Sequence, residues 1–225
     1  MINPNHPFIE YVETIFWEKE HKPIAEQNKA YLKHLFPFIG LRAAQRQSIT
    51  KQVLQEVPLQ GMEAVETVFK VLINKEHREF HHAAIQLLAF YKKQWQPKTI
   101  HLMELGITTN SWWDTVDTVN AECLGHYFTK YPNEKAITTK WNESENMWLQ
   151  RSSIIFQKSY KKATDVALLS KHILKVADSK EFFLQKAIGW ALREYSKTDA
   201  AWVIEFVSQH KLAPLSKREA LRLLA

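Results

Sequence analysis

The seven residues from Ser111 to Asp117 (SWWDTVD) contain two tryptophans and two carboxylates. Ser111 followed three residues later by Asp114 is a capping-box pattern, which predicts a helix that begins at Trp112. Trp113 and Asp117 are four residues apart, so they share one side of this helix. An aromatic ring beside a carboxylate suits a cationic, planar or sugar-like ligand. The alternative is structural, with both tryptophans in the core and both aspartates capping or solvated.

The rest of this predicted helix has a core-facing side. At about 100° per residue, Trp112, Val116, Val119 and Cys123 form one apolar stripe. We expect an interruption of the helix near Asn120. The stripe orients the segment, so the side that carries Asp117 borders the core.

The remainder of the chain shows helical spacing almost throughout. Only five glycines occur, and neither a GxGxxG nor a GxxxxGK[ST] pattern is present, which argues against sandwiches, barrels and glycine-rich nucleotide loops. A second capping box, Ser216 with Glu219, predicts the start of the last helix. The other predicted helices are Pro7–Glu20, Ile24–Phe36, Arg42–Val57, Met62–Ile73, His77–Lys93 and Pro97–Leu105.

Four tyrosines suggest an internal repeat. Tyr91, Tyr127, Tyr160 and Tyr195 are separated by 36, 33 and 35 residues, and similar helical segments precede three of them. A period in the mid-thirties over helical sequence predicts stacked helix pairs, an α-solenoid whose equivalent helices line a concave surface. Chance similarity among amphipathic helices is the alternative. We interpret residues 1–225 as a single HEAT-like repeat domain.

Composition narrows the partners and the compartment. A formal charge of +6 and a pI near 9.2 favour an acidic partner such as nucleic acid. A single cysteine, Cys123, excludes an intrachain disulfide. No signal peptide and no membrane-spanning apolar run is evident. We therefore expect a cytosolic, monomeric protein that binds no membrane.

Two later tryptophans lie three residues before an arginine and share a helix face with it. These pairs are Trp148 with Arg151 and Trp190 with Arg193. Arg151 could bind a phosphate through its two-pronged guanidinium, or it could pair with Asp117. Aromatic rings interleaved with cations are typical of nucleic-acid surfaces, although each neighbouring lysine could equally be a solvated charge. The lysines are Lys158, Lys161, Lys162, Lys186 and Lys197.

Other chemistries have weaker support. His77 and His81 have the i, i+4 spacing of zinc proteases, but the acid is misplaced for HExxH and no third ligand is obvious. No GxSxG elbow exists, and Cys123 falls on the core stripe. The sequence therefore predicts neither a metal nor a cofactor.

Several segments resemble the AlkD family of alkylpurine DNA glycosylases over nearly the whole chain. They are Tyr31–Gly40, Ser111–Asp117, Trp148–Arg151, Glu181–Tyr195 and Leu212–Ala220. The resemblance implies an all-α fold, a right-handed α-solenoid (superhelix) of HEAT-like repeats with a concave DNA-binding groove. It also implies excision of positively charged N3- and N7-alkylated purines from double-stranded DNA.

The resemblance assigns roles to particular residues. It implies that Asp117 is the catalytic carboxylate, and that Trp113 and Trp190 are aromatic walls of the cleft. Arg151 and Tyr31 match further DNA-contacting residues. In addition, Arg193 is a neighbouring contact. One departure occurs where the family often has a lysine, since this chain has Ser159 there with Lys158 adjacent, and Lys158 is then the candidate phosphate contact.

The implied chemistry suits these residue types. A cationic base leaves readily, and a carboxylate can stabilise the oxocarbenium-like sugar and orient water. No lysine replaces Asp117, which predicts a monofunctional glycosylase without Schiff-base chemistry. The resemblance also implies action without base flipping. A non-catalytic helical-repeat module that binds nucleic acid or protein is the alternative.

Overall fold

The computed structural model describes residues 6–224, and these contain helices and loops but no strand. The all-α prediction is therefore confirmed. Within this range no helix combines the length and the apolar character needed to cross a bilayer. The α-helices are α1 (Pro7–Glu18), α2 (Lys22–Tyr31), α3 (Ala43–Glu56), α4 (Gly61–Ile73), α5 (Arg78–Phe90), α6 (Ile100–Thr108), α7 (Trp113–Val119), α8 (Gly125–Lys130), α9 (Ile137–Glu143), α10 (Met147–Ile155), α11 (Val166–Lys175), α12 (Phe182–Ser196), α13 (Ala200–Gln209) and α14 (Pro214–Leu221).

The predicted helices are present, and the largest error in their bounds concerns α2. This helix ends at Tyr31, whereas the sequence predicted that it continues to Phe36. Lys33 and His34 adopt φ values of 57° and 58°, in the left-handed region, so the helix cannot continue through them. Neither residue is a glycine or an asparagine, so this helix end could not be recognised from residue type.

Both predicted capping boxes are wrong. Helix α7 begins one residue later than predicted, and Trp112 takes the N-cap position with extended backbone angles. Helix α14 begins at Pro214, whose fixed φ suits a first helical position. Ser216 therefore lies inside the helix, fully buried, where its hydroxyl donates to the carbonyl of Gln185 at 2.9 Å.

The chain divides into two compact units, unit 1 up to Asn110 and unit 2 from Ser111 onward. In unit 1, α1 packs on α3 and α4, and both α3 and α4 pack on α5. Buried Glu79 of α5 fixes the loop after α2, because its carboxylate accepts the backbone N–H groups of Ile39, Gly40 and Leu41 at 2.9–3.2 Å. That the whole chain forms a single domain remains a prediction.

Unit 2 is built from two rows of helices. Neighbouring members of the first row, α7, α10, α12 and α14, pack side by side, and α9, α11 and α13 pack against that row. Its core includes the fully buried Ile154, Ile173 and Leu192. The first row therefore brings residues from distant parts of the sequence next to one another.

Close contact between α12 and α14 depends on Gly189. A Cβ atom at this position would lie 2.5 Å from Glu219 Cβ and 3.0 Å from the carbonyl oxygen of Ser216. We expect Gly189→Ala to lower the free energy of unfolding by about 1–3 kcal/mol, measured by urea denaturation, because the helices must separate. Gly125→Ala is the control, since its nearest contact would be 3.3 Å. Equal stability of the two variants would contradict this packing.

A buried histidine predicts acid sensitivity. His172 is fully buried, its Nδ1–H donates to the Ser153 carbonyl at 2.9 Å, and desolvation lowers its pKa. In the unfolded chain this histidine therefore binds a proton more readily than in the folded protein. The contribution of neutral His172 to the free energy of unfolding is present above about pH 6.5 and is lost as the pH falls below that value. We expect urea midpoints at pH 7.5 and 5.5 to differ more in the wild type than in His172→Gln. An unchanged difference would contradict the prediction.

Candidate active site

Helix α7 positions the first part of the site. Trp113 is its first residue and Asp117 follows one turn later on the same side. The core-facing side carries Val116 and Val119, which are 0% and 1% exposed, and Cys123 beyond the helix is also buried. The predicted core stripe is therefore confirmed for these three residues, and Asp117 lies at its edge.

A π-helical turn, Asn120–Leu124, directly follows α7 and confirms the predicted interruption. The Asn120 side-chain amide donates both to the Val116 carbonyl and to Ser152 Oγ, each at 2.9 Å. The Val116 carbonyl therefore accepts from both the backbone N–H and the side chain of Asn120. The bond to Ser152 also ties α7 to α10.

Asp117 and Arg151 form a two-pronged ion pair. Arg151 Nε donates to Asp117 Oδ1 and Nη2 donates to Oδ2, both at 2.8 Å, and Nη1 donates to the Phe183 carbonyl at 2.6 Å. The side chains are 18% exposed for Asp117 and 4% for Arg151. Of the two interpretations of Arg151, the structure therefore shows pairing with the carboxylate. Each carboxylate oxygen keeps acceptor capacity for a ligand.

Aromatic side chains support this ion pair. The ring of Trp112 lies 5.7 Å from Trp148 and 5.0 Å from Phe183, and Trp148 lies 5.0 Å from Phe183. These three residues stand at or near the first turns of α7, α10 and α12, so their packing sets the relative positions of the helices that carry the site. Phe183 was not predicted, because neither its ring packing nor the backbone carbonyl that accepts from Arg151 could be recognised from the sequence.

Trp190 of α12 lies beside two protein cations. The Lys158 ammonium is 3.4 Å from the centroid of its ring, and the Arg151 guanidinium is 6.0 Å away. Desolvation lowers the pKa of Lys158, while the charges of Asp117 and Glu194 oppose this effect. The structure thus groups Asp117, Arg151, Trp190 and Lys158, which lie on different helices or the turn after α10.

A family comparison adds to this geometry. A model of the DNA alkylation repair enzymes matches residues 14–224. The chain belongs to this family. A solved structure from Enterococcus faecalis, described as a predicted DNA alkylation repair enzyme, is 32% identical with a TM-score of 0.86, covering 92% of this chain and 97% of its own. No curated protein matches the chain.

Family membership confirms the helical-repeat fold class and indicates DNA as the substrate. The comparisons name no catalytic residue, so the roles of Asp117, Trp113 and Trp190 stay predictions. Trp113 is half-buried at the start of α7. Tyr31 belongs to unit 1, where it ends α2 and is 72% exposed.

In this family member the predicted contact residue Arg193 is part of an ion-pair cluster. Its guanidinium binds the Glu219 carboxylate, which Lys186 also contacts at 3.0 Å. The hydrogen bond from Lys186, together with Arg193, lowers the pKa of Glu219. Lys197 is likewise paired, with Glu194 at 2.7 Å. Arg193, Lys186 and Lys197 of the predicted basic face are therefore already paired with carboxylates of the protein.

The two histidines with zinc-protease spacing have structural environments. His81 Nε2 lies 2.6 Å from the Lys75 carbonyl oxygen and its Nδ1 lies 3.1 Å from Arg78 Nη1. His77 precedes α5 as its N-cap residue. The described part of the chain contains no group of three or more candidate metal ligands.

Proposed function

We propose that this protein is a DNA glycosylase that hydrolyses the N-glycosidic bond of positively charged N3- and N7-alkylated purines in duplex DNA. One observation supports this most strongly: a partly exposed carboxylate, Asp117, is fixed by Arg151 in the unit that carries Trp190. A phosphate-binding groove alone has no use for a carboxylate held in this way. The base-excision repair step would leave an abasic site.

The proposed chemistry assigns the main work to Asp117. An alkylated purine is already cationic, so the glycosidic bond breaks with little acid catalysis, and positive charge accumulates on the sugar. A nearby carboxylate stabilises that charge and orients the water that attacks the anomeric carbon. Arg151 acts through Asp117, because two of its hydrogen bonds hold the carboxylate in one orientation and a third, to the Phe183 carbonyl, anchors the guanidinium.

Trp113 and Trp190 are proposed to contact the damaged nucleotide with their ring faces. A cation over an indole gains about 0.5–2 kcal/mol, depending on desolvation. Lys158 and Tyr31 are proposed DNA contacts outside the reacting atoms. An additional contact from Arg193 requires its charge to be shared between Glu219 and a phosphate.

The enzyme is proposed to be monofunctional. It is also proposed to cleave the glycosidic bond without first flipping the damaged nucleotide out of the duplex. Water, rather than an amine, attacks the sugar, because the residue at the reacting position is an aspartate. Selectivity then derives mainly from the lability of cationic lesions rather than from a base-binding pocket. We further propose that the protein acts as a cytosolic monomer.

A base-release assay tests this proposal. Wild-type protein is incubated with duplex DNA treated with a methylating agent, and free 7-methylguanine and 3-methyladenine are quantified by mass spectrometry against spontaneous release without protein. We expect release above this background for both bases. DNA binding without release would support the alternative, a non-catalytic nucleic-acid-binding module.

A further inference from the structure

We propose that Lys158 covers Trp190 in the DNA-free protein and moves away when duplex DNA binds. In its second position, the ammonium enters a neighbouring cavity and donates to a phosphate of the DNA backbone. The same movement uncovers the Trp190 ring for the nucleotide. This inference rests on the proposed binding of DNA at this site, and it adds a conformational step to the phosphate contact expected of Lys158.

The DNA-free position of Lys158 conflicts with the proposed use of Trp190. At 3.4 Å from the ring centroid, the ammonium is in direct contact with the indole face. A nucleotide cannot stack on that face while the ammonium occupies it. Lys158 must therefore leave before this face of Trp190 can contact a ligand.

The electrostatics of this position favour a movement toward an anion. Desolvation lowers the pKa of Lys158, the charges of Asp117 and Glu194 oppose this effect, and those of Arg151 and Lys197 add to it. A phosphate that approaches from solvent offers the ammonium a full negative charge and a more hydrated position.

A cavity beside Lys158 provides the second position. It has a volume of about 320 Å³ and no carboxylate among its lining residues, which suits a cation that carries a phosphate with it. Asn120 and Ser159 also line it. Because the lysine side chain is a flexible stem of four carbons, the ammonium can change position without a change in the backbone.

An NMR experiment tests the movement directly. Lysine labelled with ¹³C at the ε-carbon is incorporated into the full chain, and the Lys158 signal is assigned by its loss in Lys158→Arg. In the free protein, ring currents of Trp190 should place the Lys158 ε-protons upfield of the signals from exposed Lys161 and Lys162. Saturation with an undamaged duplex should return the Lys158 signal to the ordinary lysine position.

The outcomes separate this inference from the proposed function. A duplex that binds while the Lys158 signal stays upfield overturns the movement and leaves the glycosylase proposal intact. Failure to bind any duplex overturns both.

A salt titration tests the phosphate contact. The slope of log K against log salt concentration should fall by about 0.9 in Lys158→Gln, which loses one phosphate contact, and should be retained in Lys158→Arg. An unchanged slope in Lys158→Gln overturns the phosphate contact.

Discussion

Asp117→Asn should slow base release about 100- to 1,000-fold in single-turnover reactions on methylated duplex DNA. The substitution keeps the shape of the side chain and removes the negative charge that we propose stabilises the sugar cation. Binding of undamaged duplex should change much less, since Asp117 contributes no attraction to phosphate. The rate constant at saturating protein therefore isolates the chemical step.

Two controls make this result interpretable. Asp114→Asn removes a carboxylate from the first turn of the same helix, three residues from Asp117, and should retain base release within a few-fold. Circular dichroism must show that Asp117→Asn is folded at the assay temperature, because Arg151 loses a charged partner. A rate within threefold of the wild type would remove Asp117 from the mechanism, even if the protein proved to be a glycosylase.

Arg151→Met should lower the free energy of unfolding by about 3 kcal/mol, at the lower end of values for broken buried ion pairs. Arg151 is 4% exposed, and its removal leaves the Asp117 carboxylate and the Phe183 carbonyl without their donors. Base release should also fall, because the carboxylate loses its fixed orientation. Urea denaturation and single-turnover release measure the two effects separately.

A double-mutant cycle separates the ion pair from the volume of the side chain. The double variant Asp117→Asn/Arg151→Met should be more stable than the sum of the single losses predicts, by about 1 kcal/mol or more. Arg151→Lys should recover part of the stability but less of the activity, since an ammonium cannot donate to both carboxylate oxygens in the same geometry. Additive losses would show that the two side chains are not coupled.

Periodicity alone indicated most of the fold, because a helix that packs on a neighbour must repeat its apolar residues every three to four positions. The predictions were less accurate where a single backbone conformation determines the result. Lys33 and His34 end α2 in left-handed conformations that the sequence pattern does not reveal. Both capping errors have a similar cause, since Trp112 and Pro214 determine where their helices begin.

For the candidate site, the sequence suggested residues but not all of their partners. Trp113 and Asp117 are close in sequence, so helix geometry sufficed to place them together. The pairing of Asp117 with Arg151 was one of two alternatives, and only the packing of α7 on α10 decided between them. The Lys158–Trp190 contact was not predicted, because its partners come from separate elements whose relative position depends on packing.

The most direct test compares two abasic-site analogues in otherwise identical duplexes, a cationic pyrrolidine and a neutral tetrahydrofuran. The pyrrolidine carries positive charge where the sugar cation forms, so it resembles the transition state. Wild-type protein should bind the pyrrolidine duplex at least about 100-fold more tightly, and Asp117→Asn should lose most of this preference. The same preference in both proteins would contradict the claim that Asp117 stabilises the sugar cation.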